Sequence, residues 1–172
     1  MRKLVGVSLI VLLSACASQT TQPEVEDLAG SAGNGLGGSD LMGSGSDRAS
    51  YFSQLQDPNS ILSQRSVYYE YDSYTVKSEY RELVLAHAKF LRDNASASVI
   101  LQGNTDDRGS REYNLALGQR RADSVKNMMT LAGARDGQIE AVSLGEEKPR
   151  ALGYGESAWS QNRRSDIIYR GE

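Results

Sequence analysis

The chain has 172 residues and a formal net charge of −3, with 24% charged and 39% hydrophobic residues. This composition is typical of a soluble domain with additional segments, and the acidic balance without a basic stripe argues against nucleic-acid binding. The single cysteine excludes an internal disulfide and a cysteine-based zinc cluster. The single histidine, His87, argues against a histidine-based metal site. We therefore expect no metal and no cofactor.

The first 15 residues have the pattern of a lipoprotein signal peptide. Two basic residues precede a mostly apolar run of ten residues at positions 4–13, which is too short to span a bilayer. Cys16, the only cysteine, follows Leu13-Ser14-Ala15, and this segment resembles a bacterial lipobox that is cut before the cysteine. The alternative is an ordinary signal peptide cut after Ala17.

Lipid attachment at Cys16 would anchor the chain to a membrane. Anchoring is stable only with more than one acyl chain, and such multiple acylation, palmitate included, is what the resemblance to bacterial lipoproteins implies. Ala17 and Ser18 follow, and the absence of an aspartate next to the cysteine resembles the sorting pattern for the outer membrane. We expect a lipid anchor in the cell outer membrane and a domain that faces the periplasm.

Residues 16–47 combine the lipidated cysteine with a flexible linker rich in Gly and Ser. The segment has too few large apolar residues to fold, so we expect it to be disordered. Its average span as a flexible coil is about 30 Å, and its full stretch is about 100 Å. We place the folded domain at residues 48–172.

Within the domain, the hydrophobic periodicity predicts alternating strands and helices. His87 falls on the apolar face of the first helix, which favours a core or boundary histidine over a catalyst. The alternation predicts an α/β or α+β sandwich with helices packed on a sheet. The predicted strands are 67–71, 99–103, 139–144 and 166–169, and the predicted helices are 75–94, 112–132 with Gly133 as its cap, and 157–162.

A polar loop between the second strand and the second helix is the candidate site, since loops on rigid elements often carry binding residues. Arg121 lies at the border of the buried face of that helix, so its charge needs a partner. Asp106 in the loop is a candidate, although Arg121 lies about 13 Å along the helix axis from the predicted helix start. The pair could be a structural salt bridge, or it could grip a zwitterion, with a guanidinium for a carboxylate and a carboxylate for an ammonium. The residues that mark the buried face are Leu115, Gly118, Ala122, Val125 and Met129.

The loop and helix carry a motif that resembles the signature of OmpA-like peptidoglycan-binding domains, TD-x-x-G, N-x-x-L and R-A. Its residues here are Thr105-Asp106, Gly109, Asn114, Leu117 and Arg121-Ala122. The resemblance covers roughly residues 60 to 170 and implies an α+β fold, with helices packed on one face of a four-stranded mixed sheet. It also implies that Asp106 and Arg121 bind the free end of meso-diaminopimelate in the peptide stem of peptidoglycan, with Thr105, Asn114 and Leu117 at the same site.

Three further positions follow from this resemblance. Asp72 stands where the family has an acid that ends the first strand and helps to hold the ligand, although a turn or helix-capping role fits it equally well. Asn162-Arg163-Arg164 resembles the N-R-R before the last strand, and by position Arg164 reaches the site; a solvated basic turn is the alternative. The family usually has His where Asn104 stands, so any role of a titrating imidazole is absent here.

The resemblance implies a non-enzymatic lipoprotein that ties the outer membrane to the cell wall. Its implied partners are peptidoglycan and the Tol proteins, TolB among them, in envelope integrity and cell division. One alternative is a lipoprotein of the same family with wall binding but different partners. Another is an enzyme that acts on the wall through carboxylates such as Asp106 and Asp107, which is disfavoured because the sequence has no zinc-ligand set and no Gly-x-Ser-x-Gly elbow.

Overall fold

The computed structural model of the protein describes residues 53–171. The predicted signal peptide (1–15), the lipid-attachment residue Cys16 and the predicted linker up to residue 47 lie outside the described residues, so these remain predictions. Between residues 53 and 171, no helix is both long enough and apolar enough to cross a membrane.

Four strands form one mixed sheet in the order β1-β4-β2-β3. Strand β4 is antiparallel to both of its neighbours, whereas β2 and β3 are parallel to each other. This arrangement confirms the predicted four-stranded mixed sheet of an α+β fold. The strands are β1 (Ser66–Tyr68), β2 (Val99–Asn104), β3 (Ile139–Gly145) and β4 (Arg164–Tyr169).

Three α-helices connect the strands: α1 (Arg81–Asp93), α2 (Arg111–Leu131) and α3 (Glu156–Asn162). Three 3₁₀ turns, Ile61–Ser63, Ser78–Tyr80 and Asp136–Gln138, lie between these elements, and residues 53–56 at the start of the described range are helical. Helix α2 begins at the N-cap Ser110, whose hydroxyl accepts a hydrogen bond from the Tyr113 amide. It ends just before Gly133, which has the left-handed φ of +99° that helix-terminating glycines adopt.

The first helix starts later than predicted, at Arg81 instead of position 75. Within the predicted range, Ser78–Tyr80 form a 3₁₀ turn instead, and Lys77 before it is extended. A separate turn at residues 70–73 precedes this segment, and its Glu70 and Ser73 carbonyl groups accept hydrogen bonds from the buried Arg121 side chain. Strand β1 likewise pairs with β4 only as far as Tyr68, so the predicted strand 67–71 was too long by three residues.

The core lies between the sheet and helices α1 and α2, and His87 belongs to it. The His87 side chain is fully buried, with Nδ1 2.8 Å from the Tyr169 hydroxyl and Nε2 2.9 Å from the Gln64 carbonyl. Because a carbonyl can only accept, Nε2 carries the proton and Nδ1 accepts from the tyrosine. The prediction of a core histidine is confirmed.

The buried face of α2 is wider than predicted. Of the five predicted residues only Leu115 is exposed, since Gly118, Ala122, Val125 and Met129 are buried. The neighbouring strip, Asn114, Leu117 and Arg121, is buried as well. The helix also lies close against the sheet: a Cβ atom at Gly103 in β2 would lie 1.8 Å from the carbonyl oxygen of Gly118 in α2. The strand and the helix thus meet without intervening side chains next to the candidate loop.

We expect Gly103→Ala to lower the free energy of unfolding by about 1–3 kcal/mol, because the added methyl group meets backbone atoms that cannot rotate away. Urea denaturation followed by circular dichroism measures the loss. Gly137→Ala is the matched control, since a Cβ atom there has no neighbour within 4 Å. Equal stability of the two variants would contradict the close contact.

Candidate functional site

Arg121 is a fully buried cation at the centre of the site. Its Nε donates to the carbonyl of Ser73 at 2.8 Å, Nη1 to that of Asn104 at 2.8 Å, and Nη2 to that of Glu70 at 3.3 Å. Among residues 53–171 it has no ion-pair partner, and burial lowers its pKa to about 10. The guanidinium therefore joins the turn at residues 70–73 to the end of β2.

That turn places Asp72 beside the start of α2. Asp72 is the only described non-glycine residue with a positive φ, +52°, a conformation that aspartate tolerates better than most residues. The Asp72 carboxylate accepts a short hydrogen bond from the Tyr113 hydroxyl, and this bond raises the pKa of the tyrosine. Asp72 therefore lies at the site, and its backbone also shapes the turn that receives Arg121.

Asp106 does not pair with Arg121, which corrects the structural salt bridge considered from the sequence. The Asp106 carboxylate is buried and lies 2.6 Å from Nη2 of Arg108 and 3.2 Å from Nη1 of Arg163. Burial acts to raise the pKa of Asp106, but hydrogen bonds from Arg108 and Arg163 outweigh it and lower the pKa below its usual value. Arg121 is about 15 Å along α2 from its start, whereas Arg108 and Arg163 belong to loops that meet at Asp106.

The arginine that reaches Asp106 is Arg163, not Arg164 as predicted. Arg163 is buried, donates from Nε to the Tyr69 carbonyl at 3.1 Å and also pairs with Glu156. Arg164 meets a different carboxylate, that of Asp166, at 2.9 Å. Arg164 opens β4, and consecutive side chains at the start of a strand point to opposite sides, so only one of the two arginines can face the loop.

Arg108 forms the outer wall of the site, and sequence analysis missed it. Its guanidinium carbon lies 4.0 Å from the ring centre of Tyr71 and 4.1 Å from that of Trp159, so the cation is held between two aromatic faces. The Trp159 indole donates to Asp107 at 2.6 Å, which fixes that ring. Only the single tryptophan and the short Asp106–Arg108 spacing hinted at this cluster in the sequence.

The remaining predicted residues line the inner side of the loop. Thr105, Asn114 and Leu117 are all buried. The Asn114 amide makes a short hydrogen bond to Glu146, whereas the Thr105 hydroxyl has no hydrogen-bond partner among the described residues. Asn104, at the usual family histidine position, donates to the Gln102 carbonyl at 3.0 Å. The structure thus gathers the predicted positions around one loop, with Arg164 as the exception.

We expect Arg121→Ala to lower the free energy of unfolding by about 3 kcal/mol or more, because three carbonyl groups lose their buried donor. Chemical denaturation measures the change. Arg120→Ala is the control: this neighbouring arginine is exposed, so its replacement should change stability by no more than about 0.5 kcal/mol. Similar small losses in both variants would show that the three hydrogen bonds do not hold the turn.

Both a protein family and individual known proteins match the sequence of this chain. The OmpA family profile matches residues 68–163. The peptidoglycan-associated lipoprotein of Pasteurella multocida is 48% identical over 104 residues, which cover 60% of this chain and 69% of the relative. That of Legionella pneumophila is 37% identical over 167 residues, which cover 95% of this chain and 91% of the relative.

Solved structures with a similar fold include a protein of the same name as these relatives. The crystal structure of the peptidoglycan-associated lipoprotein from Burkholderia pseudomallei has 52% sequence identity and a TM-score of 0.67, covering 68% of this chain and 99% of that one. The C-terminal domain of Helicobacter pylori MotB, at 19% identity and a TM-score of 0.58, covers 63% of this chain and 86% of that one and shares the fold alone. The relatives from Pasteurella multocida and Legionella pneumophila are both named for an association with peptidoglycan, in agreement with the prediction of a non-enzymatic lipoprotein. The chain therefore belongs to the OmpA family and, within it, to the peptidoglycan-associated lipoproteins.

Proposed function

We propose that this chain is an outer-membrane lipoprotein that binds peptidoglycan non-covalently and ties the membrane to the cell wall. Relatives with 48% and 52% identity carry the name peptidoglycan-associated lipoprotein. The lipobox at Cys16 supplies an anchor, and the Gly/Ser-rich segment after it supplies reach. The domain needs no catalytic group for this task, because its effect is mechanical.

We further propose that the ligand is the free end of meso-diaminopimelate in the peptide stem. This end is a zwitterion, with one ammonium and one carboxylate. The supporting observation is the buried Asp106 carboxylate, which hydrogen bonds from Arg108 and Arg163 keep ionised. An ionised acid beside guanidinium groups offers a partner for each charge of the ligand, and the low local dielectric strengthens both contacts.

The other predicted residues complete this site in supporting positions. Arg121 fixes the backbone of both loops that border Asp106, and Asp72 shapes the turn opposite. The Thr105 hydroxyl is buried beside Asp106 and lacks a hydrogen-bond partner among the described residues. Each single contact with the wall can be weak, because many anchored copies act together.

We expect the full chain in detergent to co-sediment with sacculi that contain diaminopimelate. Asp106→Asn should weaken this binding about tenfold or more, because a charge-assisted hydrogen bond to the ligand's ammonium becomes a neutral one. Asp136→Asn is the control. Asp136 is exposed, pairs with Lys126 and lies beyond the far end of α2. Free meso-diaminopimelate should release the wild type into the supernatant.

Circular dichroism of both variants separates loss of binding from loss of folding. Equal sedimentation of folded Asp106→Asn and wild type would contradict the role of Asp106. A wild type that stays in the supernatant would contradict wall binding itself and would favour a lipoprotein of the same family with a different task.

We also propose that the anchor is the lipid on Cys16 and that the chain acts with TolB in the Tol–Pal system, as the family resemblance implies. One experiment addresses both: affinity purification of the chain from fractionated cells. We expect the wild type in the outer membrane together with TolB, and Cys16→Ala in the soluble periplasmic fraction. Wild type in the soluble fraction would contradict the anchor, and an eluate without TolB would contradict that partner.

A further inference from the structure

We propose that strand β1 transmits the pull of the membrane anchor to the wall-binding end of the domain, and that the sheet bears this load in shear. The inference rests on the proposed function, because only a tether that is held at both ends comes under load. The lipid on Cys16 holds one end, and wall material bound at Asp106 holds the other. The direction of the pull through the domain then depends on where the chain enters the sheet.

The chain enters the domain toward the end of the sheet that lies opposite Asp106. Leu55, near the start of the described residues, is buried in the core, and its carbonyl accepts a hydrogen bond from Nη2 of Arg65 at 3.0 Å. The guanidinium carbon of Arg65 lies 4.9 Å from the ring centre of Tyr169, the last residue of β4. Tyr169 pairs with Val99, the first residue of β2, whereas Asp106 comes just after the end of that strand. The anchor therefore pulls at one end of the sheet, and the wall holds the other.

The strand directions convert this pull into shear. Strands β1 and β2 both run toward the end that carries Asp106, and β4 lies between them and is antiparallel to both. A pull on the start of β1 and an opposite pull on the end of β2 act along the strands, perpendicular to the hydrogen bonds that join them. These bonds then share the load. A sideways pull on the start of β1 would instead break them one after another.

The far end of β1 is held by Tyr69, the residue that follows the strand. The Tyr69 amide donates to the Arg163 carbonyl at 3.0 Å, and Nε of Arg163 donates to the Tyr69 carbonyl at 3.1 Å. The buried Tyr69 hydroxyl lies 3.0 Å from the Arg121 carbonyl and 3.0 Å from the Ser165 hydroxyl. Sliding β1 along β4 must break these contacts together with the strand pairing. In a sideways separation that begins at Ser66, they are reached last.

The test is single-molecule force spectroscopy of the chain from Cys16 onward, made without lipid so that the Cys16 thiol serves as one attachment point. Asp107→Cys, next to Asp106, supplies the second attachment point. We expect this pair of points to give a rupture force about twice or more that of a control pair, because the hydrogen bonds are loaded together.

Asp136→Cys supplies the matched control pair with Cys16. Asp136 is an exposed aspartate like Asp107, and each of the two makes a side-chain contact. Asp136 lies just before β3, whose first residue, Ile139, pairs with the first residue of β2. Both attachment points of the control thus load the same end of the sheet, so the pull separates β1 from β4 sideways. Circular dichroism confirms that each variant is folded.

Tyr69→Phe, added to both attachment variants, separates resistance to shear from general stability. It removes the buried hydroxyl and keeps the ring. We expect a lower rupture force for the Asp107→Cys pair and no change for the Asp136→Cys pair, in which the start of β1 separates first.

Equal rupture forces for the two pairs, or an equal loss with Tyr69→Phe in both, would overturn the inference and leave the proposed function intact. A wild type that does not co-sediment with sacculi would instead refute the proposed function, and with it the load on β1.

Discussion

The buried guanidinium of Arg121 holds together parts of the domain that are far apart in the sequence. Its three donors reach the carbonyls of Glu70, Ser73 and Asn104, which belong to the turn after β1 and to the end of β2. A buried cation is costly, and the lowering of its pKa to about 10 by burial reflects that cost. The hydrogen bonds offset the cost, and the two borders of the site are thereby fixed relative to α2.

The rest of the site is built on this fixed backbone. The turn at residues 70–73, to which Arg121 donates hydrogen bonds, places the Tyr71 ring over Arg108. The same turn places the Asp72 carboxylate beside the Tyr113 hydroxyl. The loop after β2 brings Asp106 to Arg163, which precedes β4, the strand next to β2 in the sheet. The ionised state of Asp106 thus depends on sheet order as well as on its own loop, because Arg163 comes close only through strand pairing.

Much of this arrangement could be predicted from the sequence. The apolar run of β2, the helical periodicity of α2 and Gly133 located the loop. The motif located Asp106 within the loop and Asn114 and Arg121 on the helix after it. The partners of Asp106 and Arg121 could not be predicted in the same way. One of them, Arg163, lies 57 residues beyond Asp106 in the chain, and the carbonyl partners of Arg121 have no side-chain signature.

The width of the buried face of α2 was missed for a related physical reason. Periodicity identifies one face of a helix but not how far the buried surface extends around it, and here the close Gly103–Gly118 backbone contact brings the neighbouring strip near the sheet as well. A glycine pair that allows two backbones to touch has meaning only when both elements are placed. The choice between Arg163 and Arg164 likewise depends on where β4 begins, which sequence patterns locate only within a few residues.

A site whose charges are already paired suits a tether better than a tight receptor. Because Asp106 has Arg108 and Arg163 as partners without ligand, a zwitterion that binds as proposed exchanges existing ion pairs for new ones, and the net gain per contact is small. The same pairing keeps the empty domain stable, since no carboxylate is left buried without a cation. In the tether proposed above, the strength of the attachment then comes from the number of anchored copies and not from the affinity of one.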